Sequence, residues 1–268
     1  MILDDTTIRI VVFFSVLLVM VILELMFPAR QLTATQQATQ STRLLSNFGL
    51  VIFSNFASKL VLPLGLASFA IFVSGQEWGL FNLLDLPAWL SITLGVLLLD
   101  MLIYWQHRLF HVIPFLWKLH QVHHADPHVD VSTALRFHPF EIMLSILIKM
   151  AAVFVLGVPA VAVIIFEVLL NGFAIFNHAN IRLPKKVEAV ARYILMTQIL
   201  HRIHHSQLPE EANTNYGFSV IWWDRLFGSY AFEASKPDTQ IDIGLTQYPE
   251  AKQNSQFFSL LMMPFKRK

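Results

Sequence analysis

Long apolar runs alternate with polar connectors along this chain, and the runs are too long for a soluble core. Ile10 to Phe27 is interrupted only by Ser15 and Glu24 and ends at Pro28 and Arg30. As a helix it spans a hydrocarbon layer of roughly 30 Å. Asp4 and Asp5 precede it where a signal peptide carries basic residues, and no small-residue cleavage pattern follows, so a retained transmembrane helix is expected. Gln31 to Thr42 reads as a polar connector. Leu44 to Val73 is a second apolar stretch, containing Asn47, Asn55, Lys59 and Pro63, and predicts one kinked helix or a broken one. Gly75 to Pro87 reads as a loop, and Trp89 to Trp105 is the third run. Phe140 to Phe176 is the fourth, split by Gly157-Val158-Pro159 into a helical hairpin.

The pattern predicts an all-α integral membrane protein. About four membrane-embedded helical segments are expected, some as hairpins, with a cytoplasmic helical cap. Loop charge sets the orientation. The 75–87 loop holds Glu77 and Asp85 and no Lys or Arg, whereas segments 106–139 and 177–268 hold fourteen of the nineteen basic residues. The N-terminus and the 75–87 loop are therefore expected outside, and the two basic segments in the cytoplasm. Val187 to Leu200 has apolar residues at helical spacing, which suits a helix on the membrane surface or over a site. Lys266-Arg267-Lys268 reads as a tail facing solvent or headgroups.

Composition strengthens this picture. Of 268 residues, 55% are hydrophobic and 14% charged, against about 45–50% and 25% in soluble domains. This composition argues against a soluble enzyme and excludes a disordered chain. The absence of cysteine removes disulfides, iron–sulfur clusters, thiolate zinc sites and cysteine nucleophiles. A net charge of +1 offers no argument for nucleic acid.

Histidine is the anomaly. All eleven lie between His107 and His205. His107 and His111 are four apart. His120, His123 and His124 form an HxxHH pattern, and His201, His204 and His205 repeat it. On a helix these offsets fall within about 100° of arc, so one turn presents several imidazoles together. His178, in Asn177-His178-Ala179-Asn180, is a ninth candidate ligand, and His138 a possible tenth; His128 reads as an ordinary buried or surface group. Eight to ten ligands imply two ions with four or five each. Imidazole suits iron, zinc, copper or nickel, and spacing alone does not choose. The Glu plus Glu-x-x-His pattern of soluble di-iron bundles is absent, as are HExxH and HxxEH. Asp100, Tyr104, His107 and His111 share one helix face, and Asp100 is expected to accept a hydrogen bond from a ligand imidazole. Arg108, Arg136 and Arg202 flank ligand positions and suit pairing with acids or lipid headgroups.

These residues form an ordered series. Asp100-x3-Tyr104-Trp105-x-His107-Arg108-x2-His111 precedes Leu116-Trp117-x2-His120-x2-His123-His124 and Arg136-x-His138-Pro139. Asn177-His178-x-Asn180, His201-Arg202-x-His204-His205, Asn215-Tyr216-Gly217 and Trp223-Asp224-x2-Phe227-Gly228 follow. Over about residues 95–230 the chain resembles the fatty acid hydroxylase / sterol desaturase superfamily of membrane non-haem di-iron oxidoreductases. The resemblance implies two iron ions held by His107, His111, His120, His123, His124, His201, His204 and His205, with His178 added. His138, Asp100, Tyr104, Asn180 and Asn215 are further ligand or supporting positions. It implies O2-dependent hydroxylation or desaturation of a sterol-like or fatty-acyl lipid drawn from the bilayer. No fused cytochrome b5-like domain or haem motif is visible, so electrons come from a separate cytochrome b5-, ferredoxin- or reductase-type donor. The implied organisation is an anchor region 1–90, a catalytic region 91–232 and a tail 233–268; nothing specifies an oligomer.

Other readings are an ether-lipid monooxygenase of the same family, a membrane zinc metallohydrolase, and a metal-binding or transport protein. A hydrolase needs a carboxylate base, for which Glu141 is the nearby candidate, equally readable as an interfacial charge. Transporters place ligands at mid-membrane on broken helices, whereas these histidines flank the apolar runs.

Overall fold

The computed structural model describes residues 5–84 and 86–266. Asp4, Asp85, Arg267 and Lys268, used above for orientation, lie outside the described residues. Helix α1 (Asp5–Met26) ends near Pro28 as expected. Helix α2 (Ala34–Val61) starts earlier than its apolar residues do. The Gln- and Thr-rich stretch read as a connector is its first turns. Thr33 and Gln36 explain this: the Thr33 hydroxyl accepts from the Gln36 N–H at 3.3 Å, and the Gln36 amide oxygen accepts from the Thr33 N–H at 2.9 Å. Such a reciprocal cap satisfies two orphan donors at a helix start.

The second apolar stretch is broken. Pro63, which has no N–H to donate, separates α2 from α3 (Leu66–Gly75). The segment read as a loop contains one short helix, α4 (Leu80–Leu83). Helix α5 (Ala88–Val112) extends the third run through the first histidines, and α6 (Pro114–His124) follows a single intervening residue. The fourth run is two helices, α7 (Pro139–Leu156) and α8 (Ala160–His178). Their hairpin turn needs Gly157, at φ +66°, and it is pressed by Gly79 at φ +91°. A Cβ on Gly79 would lie 2.2 Å from the Gly157 nitrogen. Splitting this run raises the number of helices long and apolar enough to cross a membrane to five among the described residues, counting α2–α4 as one broken segment.

Helix α2 shows how lipid inverts amphipathicity. Its buried face carries Arg43, Ser46, Asn47, Ser54 and Ser58, while Leu45, Ile52, Phe56 and Leu60 face outward. With no hydrophobic force between helices in lipid, polar and small groups hold the interface. The main apolar core joins α3, α5, α7 and α8 through Leu66, Leu99, Ile103, Val153, Val163 and Phe166. Two of the acidic residues that interrupt the membrane runs, Glu24 and Glu167, pair with other elements. Glu167 on α8 pairs with Arg9 on α1 at 2.8 Å, and Glu24 accepts from the Val131 N–H at 2.9 Å.

The region after α8 is short helices and turns. These are α9 (Lys185–Ala191), α10 (Gln198–His204), α11 (Pro209–Ala212), α12 (Trp222–Phe227), α13 (Ala251–Ser255) and α14 (Phe257–Met262). The expected single helix over Val187–Leu200 is two. Leu195 breaks away to bridge Val220, and the Thr197 hydroxyl donates to Glu188 at 2.8 Å. Val187 and Val190 on α9 are exposed, while α10 is buried and carries histidines. Among the described residues there is no strand, only isolated bridges.

Candidate metal centre

Four helices bring nine histidines to one place, in two groups. His107 and His111 of α5, His120 and His124 of α6 and His204 of α10 form the first. His123 of α6, His178 of α8, and His201 and His205 at α10 form the second. Within each group, one ring nitrogen per residue lies within 4.8 Å of all the others. Each HxxHH pattern divides between them. Positions 0 and 4 are about 40° apart on a helix and point together, while position 3 points aside. On α6 the 0/4 pair serves the first group and His123 the second; on α10 the assignment is reversed, with His204 serving the first. The two helices thereby hold both groups side by side.

The ring nitrogens are oriented from behind. His107 Nδ1 donates to the Tyr216 carbonyl at 2.8 Å, His204 Nδ1 to that of Thr214 at 2.8 Å, and His178 Nδ1 to that of Ala174 at 2.6 Å. His120 Nδ1 meets Glu141 Oε1 at 2.7 Å. A carbonyl only accepts, so a neutral ring held this way presents a bare lone pair at Nε2. Those lone pairs converge. His178 Nε2 lies 2.9 Å from His201 Nε2, 3.0 Å from His123 Nε2 and 3.2 Å from His205 Nε2. His107 Nε2 lies 3.1 Å from His120 Nε2. One lone pair cannot satisfy three neighbours as a hydrogen-bond acceptor. His111 Nε2, His124 Nε2 and His204 Nε2 are buried with no hydrogen-bond partner among the described residues. An unsatisfied buried polar atom is costly and calls for an explanation, and a cation within each group supplies it. The donor set therefore fits two metal ions.

Electrostatics agree. Burial first, and neighbouring imidazoles second, push His120, His123, His124, His201 and His205 well below the ordinary histidine range; for His204 burial and His107 do the same. Neutral rings are the form that ligates metal. Phe137 stacks on His123 with ring centroids 4.4 Å apart, fixing that ring's plane.

The remaining expected positions lie outside the two groups. His138 caps α7: its Nδ1 accepts from the Phe140 N–H at 3.2 Å and its Nε2 donates to the Leu261 carbonyl at 3.2 Å. Asp100 accepts from Trp223 Nε1 at 2.8 Å and from Ser219, so it holds α12 and its approach rather than an imidazole. Tyr104 shares a 2.8 Å hydrogen bond with Ser229. Asn180 bonds the backbone of Arg30 in both directions, at 3.0 and 2.9 Å. Asn215, at φ +52°, donates to the carbonyls of Leu200 and Ala231. Arg202 pairs with Asp238 at 2.6 Å, Arg136 donates to the carbonyls of Val122 and Asn254, and Arg108 donates to Tyr104 and the Phe227 carbonyl.

Glu141 is the carboxylate that touches a candidate ligand. A buried acid one residue into an apolar run was the available signal, the same one that drew attention to Asp100. Sequence reasoning missed a second feature, the buried cluster behind α6. Arg43 donates to Asp126 at 2.9 Å and also to Asp130 and the His128 carbonyl, while Asn47 donates to Ser132 at 2.9 Å.

A family model described as fatty acid hydroxylase matches residues 92–229. An ornithine lipid hydroxylase of Rhizobium tropici is 29% identical over 182 residues, which are 68% of this chain and 52% of that protein. An alkylglycerol monooxygenase of Danio rerio is 35% identical over 164 residues, 59% of this chain and 35% of that one. Human lathosterol oxidase is 28% identical over 165 residues, covering 60% and 51%. The chain thus spans about a third to a half of the curated relatives it matches, and no solved structure matches it. The family match runs from early in α5 past the end of α12 and contains every member of both histidine groups: the chain belongs to the fatty acid hydroxylase family.

Proposed function

We propose that this multi-pass membrane protein is an O2-dependent oxidoreductase that inserts oxygen into a C–H bond of a membrane lipid. The observation that carries the reading is the pair of buried histidine groups whose bare nitrogens converge at the ends of α5 and α8. The groups would hold two iron ions, which supply O2 activation. The balance is C–H + O2 + 2 electrons + 2 protons giving C–OH + H2O, with electrons from a separate redox protein.

The chain's own part is geometric. Backbone carbonyls of Ala174, Thr214 and Tyr216 hold imidazoles in one tautomer, and Glu141 holds His120. The apolar helices around the groups would keep water from the reacting C–H bond. Names of relatives support oxidation of a membrane lipid; an ornithine lipid hydroxylase and an alkylglycerol monooxygenase favour hydroxylation, and a sterol desaturase of Arabidopsis thaliana keeps desaturation as the second outcome. Ether-lipid cleavage is the same chemistry placed beside an ether oxygen, because a hydroxyl on that carbon gives a hemiacetal that falls apart. Glu141 is occupied by His120, which disfavours its use as a hydrolase base. The groups sit at helix ends, which disfavours a transport site. Loop charge supports a cytoplasmic position for both groups.

Lipid mass spectrometry of cells with and without the protein tests the reading. A gain of 16 mass units on one lipid class, or loss of an ether chain, is expected; unchanged lipids overturn it. Protein from iron-replete cells should hold about two irons per chain, and full occupancy by a single zinc would defeat the di-iron assignment. Glu141→Gln should weaken metal retention or turnover by about 10–100-fold, as loss of a carboxylate behind a ligand imidazole does. Iron content and activity equal to the parent's would remove Glu141 from this role.

A further inference from the structure

We infer that the junction of α6, α7 and the turn Met263–Phe265 after α14 is a binding site for an anionic glycerophospholipid of the leaflet on the histidine side. A groove of about 540 Å³ lies there, lined by Phe115, Leu119, Phe140, Leu144 and Phe265, with Lys118 and Lys266 also on its wall. That size falls in the range of small-molecule sites.

Depth identifies the solvent around it. The α5 span ends at Val112, three residues before Phe115, and the α7 span begins at Pro139, next to Phe140. The groove therefore sits where two membrane spans meet the headgroup layer. Phe115, Phe140 and Phe265 are all more than half exposed, at 71%, 53% and 56%. Three such rings on a water-facing wall would be costly, but beside lipid chains they are solvated.

Charge identifies the headgroup. Neither Lys118 nor Lys266 pairs with a carboxylate among the described residues. Glu141, the acid nearest in sequence to the groove wall, is buried and turned to His120. Two free ammonium groups beside an apolar trough match a phosphate attached to acyl chains. Lysine stems lie along apolar surface while their ends stay in the polar layer, so both can reach one phosphate. A neutral sterol would leave both charges unused, and a soluble anion would leave the aromatic wall bare.

The site is separate from the histidine groups, although Leu119 and Phe140 adjoin His120 and Glu141 in the chain. Its test therefore needs no turnover. The full chain, purified in detergent, is mixed with phosphatidylglycerol or phosphatidylcholine, and bound lipids are counted by native mass spectrometry. Phosphatidylglycerol should be retained over phosphatidylcholine. Lys118→Gln or Lys266→Gln should each cut that preference about fivefold, and the double variant about twenty-five-fold, from the attraction of one lysine near an anionic surface. Leu144→Asn, which spoils the trough and spares the charges, should weaken both lipids alike. Lys252→Gln, on an exposed lysine away from the groove, should change nothing. Equal retention of the two lipids by the parent chain, or a preference that survives the double lysine variant, would overturn the assignment. Iron content, measured on the same samples, reports failure at the histidine groups independently.

Discussion

His178→Ala should cost the protein the metal of its second histidine group and leave that of the first. His178 lies in neither HxxHH pattern, yet its Nε2 is the centre of the group, within 3.2 Å of His123, His201 and His205. Its Nδ1 donates to the Ala174 carbonyl one turn back in the same helix, so α8 itself sets the tautomer. Alanine removes one of four nitrogens and leaves three lone pairs facing a void. About one iron per chain should remain. Turnover should fall by more than the roughly 100-fold that loss of an outer hydrogen-bond partner costs. The protein should still reach the membrane, because the spans are unaltered. His138→Ala is the comparison. Both nitrogens of His138 serve the α7 cap and the C-terminal segment, so this change should cost about 1 kcal/mol of stability with both irons kept. Metal analysis of the two purified variants decides: two irons in His178→Ala would remove it from the site.

The contrast between His178 and His138 marks what the sequence conveys. Periodicity places imidazoles on one helix face, so the two HxxHH patterns and the α5 pair were legible as a cluster. The hairpin turn at Gly157 was legible too, because Gly and Pro punctuate an apolar run. Tertiary partners were not. His138 and His178 each stand outside the HxxHH patterns, and His138 owes its second hydrogen bond to the Leu261 carbonyl on α14, 123 positions away. Asp100 and Glu141 are both acids in apolar runs, a pattern that announces a partner without naming it. The structure gives Asp100 to Trp223 and Glu141 to His120, 21 positions before it in the chain. The carbonyls that orient His107, His178 and His204 belong to backbone, which residue identity does not reveal. Helix α2 misleads for a related reason. Its polar residues look like a connector and scattered interruptions, but in lipid they form the inward face.

Arg43 tests that inward face, and Arg43→Leu should be the most destabilising single change in the chain. Its guanidinium is 2% exposed and donates to Asp126 and Asp130, themselves buried at 0% and 7%. Removing the cation leaves two carboxylates in a medium where unpaired charge is poorly tolerated. Arg136 offers only partial relief, at 3.8 Å from Asp126. Breaking a buried pair from one side costs about 3–5 kcal/mol, a large part of the roughly 5–15 kcal/mol that holds a typical fold. The unfolding midpoint in detergent and the yield of monodisperse protein should both drop. Lys236→Ala, which breaks an ion pair whose side chains are 50% and 61% exposed, should shift stability by less than about 1 kcal/mol. The charge argument has its own control. Replacing Arg43 by Leu together with Asp126→Asn and Asp130→Asn removes the uncompensated anions and should recover part of the loss, since a neutral replacement of a buried pair is often tolerated. If packing volume were what mattered, the triple variant would be no better than the single one. Because Asp126 follows His124 by two residues, the single variant should also release metal more readily. The cluster fastens α2 to the turn that ends α6, and that turn sets the angle at which His123 and His124 leave the helix.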